Sequence, residues 1–282
     1  MNQKTLAAHA PQQTIIEFSN GWHLVNLKEL LRYKDLLYFL VWKEIKVLYK
    51  QTVLGLTWAI IRPLFTMVVF SVVFGRLAKI PSDGVPYPIF SFVALIPWTY
   101  FSTAMTSSSN SLAGNTNLLT KVYFPRLIIP ITPVLSGLVD FGIAFLMLVG
   151  MMAWFKITPT SNVVFLPFLL LLMICAASGI GMWLSALAVQ YRDVKHALPF
   201  LAQLLLYTAP VVWPTSLIPY GYRLVYGLYP MAGVIEGFRS ALLGTNSMPW
   251  DLMAMGTLST SLILFSGALY FRKMERIFAD VA

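Results

Sequence analysis

The chain has 282 residues, 58% of them hydrophobic and 11% charged, with a formal net charge of +9 and a mean hydropathy of +0.73. An average soluble domain carries about 25% charged residues, so a water-soluble fold is excluded and the bilayer is the solvent that organises this sequence. In such a chain, surplus lysine and arginine collect in loops kept on the cytoplasmic side, which accounts for the positive charge without a nucleic-acid partner.

In chain order, residues 1–25 are a polar segment expected to lie in the cytoplasm. They lack the apolar stretch and small-residue cleavage site of a secretory signal, so insertion is expected to rely on internal segments. Residues 26–52 read as one amphipathic helix, opened by Asn26 and Glu29 at capping-box spacing. At about 100° per residue, Lys28, Arg32, Lys43, Lys46 and Lys50 form one stripe. Leu27, Leu30, Leu31, Leu37, Val41, Ile45 and Leu48 fall opposite. Such a helix lies in the membrane interface, where Tyr38, Trp42 and Tyr49 suit headgroup depth. Leu36 and Phe39 break the pattern and leave room for a kink or a partner surface. Two roles fit the segment: a plain anchor, or a lever that a cytoplasmic partner pushes.

Residues 53–282 form the membrane domain. Spans are expected at Leu54–Phe74, Ile89–Thr106, Leu127–Trp154, Val164–Val189, Leu198–Val212 and Leu252–Phe271. Six crossings put both ends on one side. With the N-terminus inside, fourteen lysines and arginines lie in cytoplasmic segments against five outside, with Arg62 left within the first span. The segment Leu198–Val212 is short and is cut off by Trp213, Pro214 and Pro219, so it is not expected to cross as a plain helix. Residues 213–250, with Tyr220, Tyr222, Tyr226, Tyr229 and Phe238, are too apolar for a solvated loop and too broken for one span. A re-entrant pair of half-helices on the outer side satisfies both facts, because irregular backbone at membrane depth needs protein or water to meet its polar groups. Its second half, Met231–Leu243, is expected to be helical and to stop at Gly244, with Glu236 and Arg239 spaced to pair on one face. The expected fold is therefore an all-α membrane protein: six transmembrane helices, an N-terminal amphipathic interface helix and an outer re-entrant helical hairpin.

Catalytic machinery is missing from the sequence. Gly-x-x-x-x-Gly-Lys-Ser/Thr, Gly-x-Ser-x-Gly and a paired Asp-x-Asp are all absent. Cys175 stands alone in an apolar run, and His9, His23 and His196 are scattered without ligand spacing, so neither a cofactor nor a metal is expected on this chain. Asp140 is the one carboxylate deep within an expected span, a functional candidate because burying it charged is costly. It pairs with Arg62, or Arg62 snorkels to the interface and Asp140 stays protonated or wet.

Four segments carry a family resemblance: Lys43–Lys46 with Tyr49–Gly55, then Trp58 and Pro63; Asn117–Arg126; Tyr191–Val194; and Tyr229–Met231 with Glu236–Arg239. In order and position between the spans they resemble the polysaccharide-exporting ABC permeases, the O-antigen and teichoic acid group. Asn is common in that family where this chain has Tyr229. The resemblance implies a homodimer, with two separate ATPase subunits beneath it that bind ATP and Mg. It also implies a bacterial cytoplasmic (inner) membrane setting with both termini in the cytoplasm, and a polysaccharide carried on a polyprenyl diphosphate.

On the same likeness, a short helix with Leu118, Leu119, Lys121, Tyr123, Phe124, Pro125 and Arg126 would seat in the ATPase, and Tyr191, Arg192 and Asp193 would complete the contact. Lys121 and Arg126 also serve plain orientation by charge. A glycan path needs aromatic faces that meet the C–H faces of sugars, and Trp98, Tyr100, Phe101, Tyr207 and Trp213 are the candidates, unless they are interface anchors. The basic stripe would attract the diphosphate. Two other functions share parts of this pattern: export of a small hydrophobic compound, and a glycosyltransferase or polymerase acting on the same lipid-linked glycan.

Overall fold

Hydrocarbon offers the backbone no hydrogen-bond partners, and the chain answers with helices. The computed structural model describes residues 27–50, 57–115, 118, 121, 123–191 and 193–275, and residues 27–29 by their backbone alone. Among the described residues no strand occurs.

The interface segment is two helices, α1 (Leu27–Arg32) and α2 (Lys34–Lys50), in place of the single expected one. The break falls at Tyr33, whose N–H donates to the Leu30 carbonyl at 3.2 Å while Leu37 N–H donates to Tyr33. The expected cap at Asn26 and residues 51–52 lie outside the described residues.

Five helices are long and apolar enough to cross a bilayer. They are α3 (Thr57–Phe70, running on as a π-helix over Ser71–Leu77), α4 (Tyr87–Gly114), α5 (Ile128–Phe155), α6 (Leu166–Gln190, preceded by a 3-10 turn at Ser161–Phe165) and α10 (Trp250–Glu275). The 21 residues of Thr57–Leu77 rise about 31 Å, enough for a hydrocarbon core of about 30 Å. The fifth of the six expected spans falls short: α7 (Val194–Thr208) has 15 residues and rises only about 22 Å. It stops because Ala209 precedes Pro210, which forces Ala209 into an extended conformation, with φ −70° and ψ 144°. Two further helices follow, α8 (Tyr220–Gly227) and α9 (Pro230–Leu243). Gly244 ends α9 in the left-handed region at φ 65°, its N–H donating to the Arg239 carbonyl.

Helix α4 is the centre of the packing, with α5, α6 and α9 around it, and α10 closes against α6, α8 and α9. Helices α6 and α10 approach closely through two glycines. A Cβ on Gly179 would fall 2.8 Å from the backbone of Leu264, and one on Gly267 would fall 2.5 Å from the Gly179 carbonyl oxygen. The up-and-down course gathers Leu112, Phe124, Ile128, Met182, Ala186, Phe271 and Met274 at one end of the bundle, and Leu40 of α2 packs into them. The opposite end holds the break after α7, the helices α8 and α9, and the turn at Asp83 and Gly84.

Candidate functional site

At the Phe124 end, a short segment is anchored at one side and open at the other. Phe124 is buried, and Pro125 and Arg126 turn the chain into α5 by accepting the N–H groups of Ile128 and Ile129. Arg126 Nη1 donates to the Glu275 carbonyl at 2.7 Å, and Arg126 N–H lies 3.3 Å from Glu275 Oε1, so the segment is fixed to the last turn of α10. Leu118 is half-buried and Pro125 likewise. Lys121, Tyr123, Tyr191 and Asp193 are exposed. Leu119 and Arg192 lie outside the described residues. The exposed Tyr123 thus stands beside residues fixed to the first turn of α5 and the last turn of α10.

Helix α2 lies against α5. Its packed face differs from the apolar stripe read from the sequence: Leu31 and Leu48 are exposed, while Leu36, Leu40 and Glu44 turn inward with Leu37, Val41 and Ile45. Leu36 thus belongs to the packing that the sequence pattern has it interrupt. Polar contacts accompany this face: Tyr49 on α2 donates its hydroxyl to Asp140 of α5, and Glu44 lies near Ser136 one turn earlier. Burial pushes the Glu44 carboxyl above its ordinary value, and the nearby Ser136 hydroxyl and Lys43 ammonium only partly offset this. Burial, followed by the Asp140 contact, also raises the Tyr49 phenol.

Arg32, Lys43, Lys46 and Lys50 of the basic stripe are exposed, with the Lys46 ammonium 5.1 Å from the centre of the Trp42 ring. The Lys28 side chain lies outside the described residues. Asp140 therefore meets Tyr49, and Arg62 lies exposed over Trp58 at 5.5 Å. Among the described residues the ion pairs are Arg223–Asp251 and Glu236–Arg239, which excludes the Arg62–Asp140 pair from this structure.

The opposite end is built around Arg239, which is fully buried. Its Nη2 donates to the Val211 carbonyl at 2.9 Å, and its Nη1 to the Trp213 carbonyl at 3.3 Å and to Glu236 Oε2 at 3.4 Å. The guanidinium centre sits 3.6 Å from the centre of the Phe90 ring. Tyr87 donates its hydroxyl to the intervening Val212 carbonyl at 2.6 Å. Three successive carbonyls of the stretch that Pro210 frees from helix are thus met by side chains. The last turn of α7 is served similarly, with Tyr226 donating to the Thr208 carbonyl at 2.7 Å and Tyr229 to that of Leu205 at 3.3 Å. The network runs outward through Asn246, whose Nδ2 donates to Glu236 at 3.3 Å and to Asp83 at 2.8 Å, and Ser216 donates to Asp83 at 3.0 Å. Nothing in the sequence singles out Asp83, Tyr87, Phe90 or Asn246. Only the spacing of Glu236 and Arg239 points there.

The aromatic candidates separate. Trp98, Tyr100 and Phe101 are buried in the core formed by α4, α5, α6 and α9, and Tyr100 donates to the Val134 carbonyl at 2.8 Å. Within one chain these three side chains pack inward, while Thr99 and Thr103 of the same helix are exposed. Tyr207 is exposed, and Trp213 is half-buried against Tyr226 with ring centres 5.6 Å apart.

Similarity to known proteins runs across this whole arrangement. The sequence pattern of the ABC-2 type transporter matches residues 35–243. The chain is 30% identical over 255 residues to the "O-antigen export system permease protein RfbA" of Myxococcus xanthus, covering 88% of this chain and 96% of that relative. A Klebsiella pneumoniae protein of the same name is 23% identical over 248 residues, covering 88% and 95%. The "Polysialic acid transport protein KpsM" of Escherichia coli is 26% identical over 240 residues, covering 83% and 91%. With the family pattern spanning α2 to α9, the chain belongs to the ABC-2 type transporter family.

Proposed function

We propose that this chain is the membrane-spanning subunit of an ATP-driven exporter that moves lipid-linked surface polysaccharide, of the O-antigen type, across the bacterial cytoplasmic membrane. The observation that carries this is near full-length similarity to relatives named for O-antigen export and polysialic acid transport. The chain is a membrane subunit and not an enzyme. ATP and Mg belong to two separate ATPase subunits, which dock on the exposed Lys121, Tyr123, Tyr191 and Asp193.

In this arrangement the Phe124 end and both termini face the cytoplasm, in line with the distribution of lysine and arginine. Helix α7 is the fifth crossing, completed by the stretch that Arg239 holds, and α8 and α9 are the outer re-entrant hairpin. Two copies form one pathway. The apolar face of α3, of whose apolar stretch 6% is buried within one chain, is open to a second copy as it is to lipid. Tyr207 and Trp213 remain as aromatics that can touch sugar along that pathway, and the stripe of Arg32, Lys43, Lys46 and Lys50 meets the diphosphate at the cytoplasmic surface.

The test is made in cells. Deleting the gene should abolish surface glycan, and pulling down the wild-type protein should bring an ABC ATPase in equal amount. A double variant, Tyr123→Ala with Tyr191→Ala, should still insert but lose both the ATPase and export. Surface glycan unchanged by the deletion removes the proposed function.

A further inference from the structure

Between α2 and the Phe124-end turns of α4 and α5 lies a cavity of about 400 Å³, within the range of about 300–1,000 Å³ usual for small-molecule sites. Its wall sets polar side chains among the apolar Leu40, Val47, Leu118, Ile129 and Pro133. Helix α4 contributes Thr106, Ser107, Asn110, Ser111 and Asn115, α5 contributes Thr132, and α2 lays Lys43 and Glu44 across the opening.

The state of these groups decides what they can hold. The Thr106 hydroxyl donates to the Ser102 carbonyl at 2.9 Å, Ser111 to Ser108 at 2.6 Å, and Thr132 to Ile128 at 2.8 Å. Asn110 and Asn115 each spend an amide hydrogen on a carbonyl of their own helix, Thr106 at 3.0 Å and Ser111 at 2.9 Å. A hydroxyl has one hydrogen to give and two lone pairs to receive with. The wall therefore presents acceptors, in its hydroxyl and carboxamide oxygens and the Glu44 carboxyl, together with donors, in Lys43, Ser107 and the second amide hydrogens of Asn110 and Asn115. Lys43 is the one cationic side chain of this wall, and it lies on the exposed face of α2. A sugar ring gives and receives hydrogen bonds and carries apolar C–H faces, so it matches a wall of this mixed kind.

We propose that this cavity binds the sugar nearest the lipid diphosphate of the cargo, with Thr106, Asn110, Ser111 and Thr132 accepting from its hydroxyls. The proposal rests on the exporter function above and adds a site that reads sugar in addition to charge. Phosphates stay outside, toward Lys43 and the basic stripe, while the first ring enters beneath α2.

The experiment uses the full chain in nanodiscs and compares binding of two probes, a polyprenyl diphosphate bearing one N-acetylhexosamine and the same lipid without sugar. The wild type should prefer the glycosylated lipid by about tenfold, a modest sum of hydrogen bonds. Asn110→Leu and the shape-preserving Thr106→Val should each erode that preference while leaving affinity for the bare lipid unchanged, which also shows that the variants are folded. No preference in the wild type, preference intact in both variants, or equal loss for both lipids overturns the proposal. A free N-acetylhexosamine disaccharide that displaces the glycosylated lipid at equal concentration would overturn the lipid-anchored source of the sugar. Export is judged separately by surface glycan in cells, so the two ideas can fail independently.

Discussion

The first span, Thr57–Leu77, has a mean hydropathy of 1.8 and the second, Tyr87–Gly114, only 1.3, yet 6% of the first apolar stretch is buried and 78% of the second. The more apolar helix is the one left at the surface. Its exposed side chains, among them Trp58, Phe65, Val68, Val69 and Val72, suit hydrocarbon or another protein equally. The second helix is mostly buried within its own chain, where polar groups find protein partners: buried Ser108 donates to the Pro130 carbonyl at 2.6 Å, and Tyr100 reaches Val134. Hydropathy in a membrane helix therefore reports what it faces, and packing depends on small and hydroxyl-bearing residues that lower the score.

This contrast can be sharpened by substitution, starting at the heart of the packed region. Arg239→Met leaves Glu236 buried without its cation and two backbone carbonyls without a donor. It should cost about 3–5 kcal/mol, read as a large fall in thermal unfolding temperature in detergent. An unaltered unfolding temperature would show that the network holds nothing together. Next in size, Phe101→Ala in the second span should cost about 3 kcal/mol or more, whereas Phe65→Ala in the first should stay within about 0.5 kcal/mol for the single chain. Equal losses at the two phenylalanines would break the contrast.

The smallest effect belongs to Glu44 on the peripheral helix α2. Its carboxyl is raised above 4.5 by burial, so the folded state favours the protonated form. That contribution is present below pH 4.5 and is lost as pH rises through the folded value. Glu44→Gln should accordingly unfold about 1–2 °C higher than wild type at pH 7, a gap that closes at pH 4. A gap that widens toward pH 4 would reverse the assignment.

The long spans are legible in the sequence because an apolar run of bilayer length seldom arises except to cross a bilayer, and Gly244 announces the end of α9 through its freedom at positive φ. The shortness of α7 is legible in outline, since prolines follow it closely. The partners across the fold are not. Glu236 and Arg239 can be paired from their spacing, but the carbonyls of Val211 and Trp213 and the ring of Phe90 come from distant parts of the chain whose meeting depends on how three helices pack. For the same reason Asp140 stands out as a carboxylate within an apolar run, while the sequence offers Arg62 as its partner and the fold supplies Tyr49. Trp98, Tyr100 and Phe101 are not sorted by sequence, because an aromatic ring suits a packed core and a sugar path alike, and their burial within the chain emerges only from the fold.

The Arg239 site also bears on the order in which the chain can be assembled. Phe90, Val211, Trp213 and Glu236, which together surround the guanidinium, all precede it in sequence. When the ribosome delivers Arg239, the groups that contact its guanidinium have already been made, while Asn246 and α10, which close around α9, follow. Circular permutation that placed α9 ahead of the second span would reverse this order while keeping every contact of the finished fold.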